Sequence, residues 1–592
     1  MATATALLFL GGGLLLASYF TVGKWIEKNV IEPDPTKATT AVRRHKENPI
    51  DFNPVNKWIL YAYSFPSIAA IGPISGPTLI ALFGWLPAAL FIIIGNIFMG
   101  AVQDTFGLML GERYEARTIM GIGGDVIGKQ ILRPYYFLGL YGVISVGFYK
   151  LLGALMTAYP QTGTVTILWL FISVAYGVMV SRMRVKLEYA TPICIALAAV
   201  CLWVSWQYPT DMVAYFEGMG MTAADATAHS KIFWICLINV YAFIGAFLPY
   251  DLLIEPRQHL TVYFIWGLMI MGVVSTLISP VAIGEGWPIA QWGAAADTAG
   301  VAGASKLWGY GWLWPMLFTL CLCGALSVHT NIHTTTTVCM LSSEEHILLA
   351  GYGAMNSEGF QGLLSIVSVV HMPYATYIEK MVTAGPLGAF TYGFGDWFVA
   401  YGLPHDLGIA LGGLWCVVFV ADMDAGRRGY AWILSEAMGW DMGKWTHRTY
   451  AIGFHTVLQT FFTIVLDLGF LLGLFGGLNR GYAALFACVY MIWLMKQGKA
   501  WWYMLVQALF LIPTSMVAMA YLMWRRVTGI TSGVDPMTGG TVKTDLYSVS
   551  TSVAAVVSAL VVDGIFVFIV YHWYKAYKRE KAAAAVVTPT PA

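Results

Sequence analysis

The sequence predicts an all-α polytopic membrane protein with about 15 transmembrane helices, built around a discontinuous helix. Three observations carry this. Hydrophobic residues make up 58% of the chain and charged residues 11%, far from the balance of a soluble domain. Apolar runs long enough to cross a bilayer recur along nearly all 592 residues, so one polytopic domain fits better than several soluble ones. Within the segment 58–83, the stretch Ala69-Ala-Ile-Gly72-Pro73-Ile-Ser75-Gly76-Pro77 places two helix-breaking pairs at mid-membrane depth. Each proline removes a backbone donor and clashes with the preceding turn. Unwound backbone in hydrocarbon is tolerated only where protein covers it or where it lines a cavity. The rest of the chain is therefore expected to wrap this break, and the break to be a small-solute site.

Taken in order, the first apolar run, 4–22, lacks a basic leader and a small-residue cleavage site and reads as a retained membrane helix. Spans follow at 58–83, 86–109, 134–158, 164–181, 189–207, 232–250, 260–281, 310–328, 347–370, 405–421, 449–475, 479–495, 500–524 and 550–572. Basic residues cluster in alternate connections: Lys37 to Lys46, Arg113 to Arg133, Arg182 to Lys186, Arg427 to Arg448 and Lys575 to Lys581. By the positive-inside rule these are cytoplasmic, giving an outside N-terminus and a cytoplasmic C-terminus, with only Arg525-Arg526 on the wrong side. The opposite connections, 207–231, 282–309 and 371–404, read as long aromatic loops. The chain divides into an N-terminal helix and loop (1–55), a transporter core (56–430), C-terminal helices (431–575) and a disordered tail (576–592).

A second interruption is expected at Phe247-Leu-Pro249-Tyr-Asp251, in a span of opposite direction. Paired interrupted helices in opposed halves are the sequence pointer to an inverted-repeat transporter, and a half-helix start offers free N–H groups to an anionic solute. Backbone around Gly72, Pro73, Ser75, Gly76, Pro77 and Pro249 would contact the solute.

Several blocks resemble, in order, the carbon starvation protein A family. They are Asp34-Pro-Thr-Lys, the Gly72 to Pro77 signature, Gly100-Ala-Val-Gln-Asp104, Leu253-Ile-Glu-Pro-Arg257, Cys323-Gly-Ala-Leu-Ser-Val-His329, Thr336-Thr337, Gly351-Tyr-Gly-Ala-Met355 and Asp424-Ala-Gly-Arg-Arg428. The resemblance implies a bacterial inner-membrane secondary transporter with a 5+5 inverted-repeat, LeuT-like core and extra peripheral helices. It also implies proton-coupled uptake of pyruvate-like carboxylates or short peptides. The chain departs from the family pattern at Tyr63-Ser64, at Thr330-Asn-Ile-His333 and at Cys339.

A charge in hydrocarbon costs about 2.5 kcal/mol or more at mid-helix, so each intramembrane polar group needs a role. Asp104 suits a proton acceptor or a polar clamp between helices. Lys150 suits a coupling charge, or a lysine snorkelling to the interface. His329 suits a proton-responsive group. His329 and His333 share a helical face, which would permit a shared metal, but no carboxylate or cysteine completes an evident ligand set, so no metal and no cofactor is assigned. Thr336 and Thr337 could serve a sodium ion. Glu255, Arg257, Asp424 and Arg427 read as an inner gate, or as a solvated salt-bridged loop. Gly469, Gly473 and Gly477 beside Asp467 form GxxxG steps suited to helix packing or an oligomer seam.

A net charge of +1 with no basic tract gives nothing suited to nucleic acid. No P-loop, nucleophile elbow or HExxH is present, so an enzyme is not expected. Eight cysteines without a CxxC indicate neither a zinc framework nor disulfides. Two other readings stand beside proton-coupled import: a transporter-like scaffold within a larger respiratory-type membrane complex, and a sodium-coupled carrier.

Overall fold

The computed structural model describes residues 3–587 except 70, 142–146, 250–251, 294–300, 303, 305–306, 308–309, 327, 400, 418–421, 466–467 and 533–548. Among the described residues the chain is helical, and its β-type pairings are isolated bridges. Among the described residues, nine helices are long and apolar enough to cross a membrane, ten if one bent pair counts as a span. The count of 15 is thus not reached by single apolar rods. Residues 313–340, Ala354–Val370 and Asp422–Met438 are helical but interrupted or polar, because they carry the polar interior. Rim helices such as Leu187–Gln207 and Val549–Val587 expose Val200, Trp203, Val557 and Leu560, the mark of a lipid-facing surface.

The elements that build the interior are α1 (Thr3–Ile31), α2 (Lys57–Ala69), α3 (Gly72–Phe83) and α4 (Trp85–Arg113). They continue with α5 (Gly147–Ala158), α6 (Ala223–Phe247), α7 (Ile254–Ile278), α8 (313–320) and α9 (330–340). The rest are α10 (Ala354–Val370), α11 (Tyr374–Val399), α12 (Asp422–Met438), α13 (Trp445–Val465) and α14 (Leu468–Lys496).

The first break is present, at one place rather than two. α2 and α3 are bent by 41° across residues 70–71. Pro73 sits in the first turn of α3, where a missing N–H costs nothing, and Pro77 is carried inside the helix.

The second interruption is not where the sequence placed it. Pro249 lies in the connection between α6 and α7, two uninterrupted helices, while Tyr250 and Asp251 fall outside the described residues. The interrupted span is instead 313–340, whose helices α8 and α9 are separated by 321–329.

This span runs opposite to α2–α3. Asn53 and Val55, just before α2, bond the carbonyls of Cys339 and Met340 at the end of α9. At the other end, Phe83 and Leu313 are both tied to residues 291–292, through Gln291 N–H to Phe83 O and Leu313 N–H to Trp292 O. The two breaks meet where α3 has no side chain. A Cβ on Gly76 would lie 2.5 Å from the Leu322 backbone nitrogen, and one on Gly72 2.5 Å from Cys323 Cβ.

The expected loop 371–404 is mostly the helix α11, turned at Gly385 in a left-handed conformation (φ 69°) and packed on α10. Where a disordered tail was expected from 576, the last helix runs on to Val587. Asp467 is outside the described residues.

Candidate functional site

Unwinding 321–329 inside an apolar bundle frees backbone groups that must be satisfied by protein. Four side chains do this. Asn96 donates to the Gly324 carbonyl (2.7 Å) and Asn479 to that of Leu322 (2.9 Å), while Glu358 accepts from the Gly324 N–H (2.8 Å). Arg480, fully buried, donates through all three guanidinium nitrogens to the carbonyls of Phe318, Leu326 and Cys321. A permanent cation on α14 thus sits in the carbonyl cage of the break.

Beside this cage the fold gathers a charged cluster. His329 Nδ1 is 3.1 Å from Asp104 Oδ2 and 3.6 Å from Glu358 Oε2, and His333 Nε2 is 3.7 Å from the same Asp104 oxygen. His329 Nε2 faces Cys323 Sγ at 3.2 Å. All five side chains are buried, and Asp104 Oδ1 and Glu358 Oε2 have no hydrogen-bond partner among the described residues. Two carboxylates that share one imidazole, away from water, make a cluster suited to holding a mobile proton.

The expectation that no cysteine or carboxylate completes a ligand set around His329 is corrected here. Cys323, His329 and Glu358 offer three ligand atoms within 4.8 Å of one another. Soft thiolate with imidazole and carboxylate is a donor set that a divalent transition metal could use.

A cavity of about 120 Å³ borders the cluster. Its wall includes Ser67 and Gly72 from the first break, Cys323 and His329 from the second, and Arg427 and Gln459 from α12 and α13.

Of the residues singled out in the sequence, Gly72 lines this cavity, whereas Pro73, Ser75, Gly76 and Pro77 lie buried in α3 behind it. Pro249 is not among its lining residues. Asp104 and His329 are brought together. Lys150 is half-buried on α5 and does not line the cavity. Thr336 donates to the Ile332 carbonyl (2.9 Å), and both it and Thr337 are buried in α9.

The expected gate group divides. Arg257 and Asp424 form a fully buried two-pronged pair (2.5 and 3.0 Å). Glu255 instead accepts from Asn53 (2.5 Å), and Arg427 turns to the cavity. None of Asp424, Arg427 and Arg428 is in a solvated loop; α12 buries all three. Tyr63 and Ser64 are buried in α2, with Ser64 donating to the Ala350 carbonyl (2.6 Å), and Cys339 donates to that of Thr335 (2.8 Å).

The residues missed by sequence reasoning are Glu358, Arg480, Gln459 and Asp51. Glu358 and Arg480 each carried a signal, being charges inside the apolar runs 347–370 and 479–495. Asp51 bonds both Arg428 and Arg448 in a buried triad that ties the segment before α2 to α12 and α13. Nothing in its polar local sequence announces this.

Residues 3–387 match the family model described as carbon starvation protein CstA. The chain is 28% identical over 396 residues to "Peptide transporter CstA" of Escherichia coli (strain K12), covering 63% of this chain and 52% of that one. It is 27% identical over 383 residues to "Pyruvate/proton symporter BtsT" of Escherichia coli (strain K12), covering 63% and 50%. To "Peptide transporter CstA" of Bacillus subtilis (strain 168) it is 27% identical over 372 residues, covering 62% and 58%. The chain spans about half the length of the curated relatives it matches. Among solved structures, MhsT in complex with L-phenylalanine superposes with a TM-score of 0.42 at 10% identity, covering 88% of this chain and 99% of that one. A mutant of the Eremococcus coleocola manganese transporter gives 0.34 at 12% identity, covering 89% and 99%.

Proposed function

Because this chain belongs to the carbon starvation protein CstA family, we propose that it is a secondary transporter that imports a small carboxylate-bearing solute together with protons. The solute is pyruvate-like or a short peptide, and the membrane is the bacterial inner membrane, with the N-terminus outside and the C-terminus cytoplasmic. The observation that carries the reading is the buried Asp104–His329–Glu358 cluster at the meeting point of two opposed helix breaks, beside a cavity. A room of about 120 Å³ has the liquid volume of about four waters, a size suited to a solute of few heavy atoms. Each proton taken up by the cluster raises the charge of the cavity wall by one unit. An anion is then bound more tightly, and by linkage the anion favours the protonated cluster to the same extent. The Arg257–Asp424 pair and the Asp51 triad would serve as the gate.

Proton coupling is favoured over sodium coupling by Arg480. Unwound carbonyls are what a sodium ion would use, and here a guanidinium already occupies them. Purified protein in proteoliposomes is expected to accumulate pyruvate or dialanine when the outside is acidified. A protonophore should abolish accumulation, and exchange of sodium for choline should leave the rate unchanged. Uptake that survives collapse of the proton gradient sinks the proton claim; uptake that stops in choline sinks the argument from Arg480.

A further inference from the structure

On α12 the ionisable groups at 424, 427 and 428 are treated differently by the fold. Asp424 is engaged on both oxygens by Arg257, and Arg428 is paired with Asp51. Arg427, equally buried, has no carboxylate beside it among the described residues. Its Nε and Nη2 donate to Gln459 Oε1 (3.0 and 2.7 Å), Nη1 to the Asn239 carbonyl (3.0 Å), and Nη2 also to Asn239 Oδ1 and to the Tyr149 hydroxyl (3.1 Å). Every one of these acceptors is neutral.

An arginine cannot shed its proton to escape burial, as a lysine or histidine can. A desolvated cation without a counter-charge is strongly unfavourable, and the usual compensation is an anion. That anion is not supplied by the neighbouring side chains, yet Arg427, Gln459 and Tyr149 all border the cavity. Because Gln459 accepts through Oε1, its amide N–H groups remain donors. The Tyr149 hydroxyl, accepting from Arg427, likewise has its own hydrogen to give.

We propose that Arg427 is the receptor for the solute carboxylate, with Gln459 and Tyr149 as its neutral partners, so that the cavity is a site for a single carboxylate group and selects free acids over their amides. This rests on the transport reading only for its purpose; the binding itself is separable. The ion pairs around it fix which way the site selects: with Asp424 and Arg428 paired within the protein, Arg427 is the α12 charge left facing the cavity. A carboxylate brings a counter-charge to the hydrogen bonds that Arg427 donates, which a neutral amide does not, a difference worth about 10- to 100-fold in affinity.

The test is ligand binding by the full chain in detergent, followed by thermal stabilisation, with pyruvate, dialanine and their amides as probes. Wild type is expected to bind each acid about 10- to 100-fold more tightly than its amide. Arg427→Gln should erase the preference, and Arg427→Lys should keep it at reduced affinity. Gln459→Glu places a carboxylate against Arg427 from within. It should raise the unfolding midpoint while abolishing binding of the acids, which separates occupancy of the site from loss of fold. Wild type without a preference for acids, or Arg427→Gln with the preference intact, overturns the proposal. If acids bind through Arg427 but proteoliposomes show no uptake, the transport reading fails and the site stands. If uptake occurs and the preference ignores Arg427, the site fails and the transport reading stands.

Discussion

Asp104→Asn is expected to cut proton-driven accumulation about 100-fold, near the upper end of typical coupling between two ligands, while exchange of solute across the membrane continues. The substitution keeps the shape of the side chain and removes its ability to be charged. In the native cluster both His329 and His333 face one Asp104 oxygen, and His329 also faces Glu358. With asparagine at 104, one carboxylate remains for the imidazole, and the number of charge states the cluster can cycle through falls. Solute exchange needs no net proton movement, and Arg427 and Gln459 are untouched. Paired measurements of gradient-driven uptake and counterflow in proteoliposomes separate the two steps. Asp104→Asn protein that accumulates solute like wild type would remove Asp104 from the coupling machinery.

The second large effect is expected at Asp51. This carboxylate bonds Arg428 and sits 2.9 Å from Arg448, with all three side chains buried. Asp51→Ala leaves two guanidiniums facing each other without a counter-charge. Breaking a buried pair in this way costs about 3–5 kcal/mol. The unfolding midpoint should fall accordingly, and the double variant Asp51→Ala with Arg448→Met should recover part of the loss, because one orphaned charge is then gone.

The pH dependence follows from the same geometry. Burial alone would push the Asp51 carboxyl up, but Arg428 and Arg448 outweigh it and hold the group below its ordinary value of 3.8. The unfolded chain therefore takes up this proton before the folded one does. Its stabilisation is complete above the unfolded value and is lost as pH falls through the lower folded value. Thermal unfolding followed across acidic pH should show this loss in wild type, and the Asp51→Ala variant should lack it.

How much of this could be read from the amino acids depended on whether the cause was local. The first break was legible because Gly72-Pro73 carries its own chemistry, a missing donor and a fixed φ. The second was not. Cys321 to His329 contains no proline, and its residues would continue a helix elsewhere; it is unwound by Asn96, Glu358, Asn479 and Arg480, which come from three other helices. Gly324, at φ 91°, is the one local sign. Pro249 drew attention for the right chemical reason in the wrong place, since a proline serves a turn between helices as well as a break within one.

The same distinction applies to the charges. His329 and Asp104 could be named singly, but their contact joins residues 225 apart in sequence. Arg427 was visible as a cation just after an apolar run and read as part of an inner gate or of a solvated loop. Only packing of α12 against α6 and α13 reveals it as buried. Glu358 and Arg480 are the residues that a stricter rule, treating every charge within an apolar run as functional, would have caught.

The contact between Gly76 and the backbone of 321–323 has a mechanical consequence. With no side chain between them, the two interrupted helices have no cushion that could let one roll over the other. Under the proposed transport cycle, the two would then be expected to move as one body in any swing that opens the chamber to one side of the membrane. The moving partner would be the opposite wall, α12 and α13, with the Arg257–Asp424 clasp from α7 to α12 as its latch.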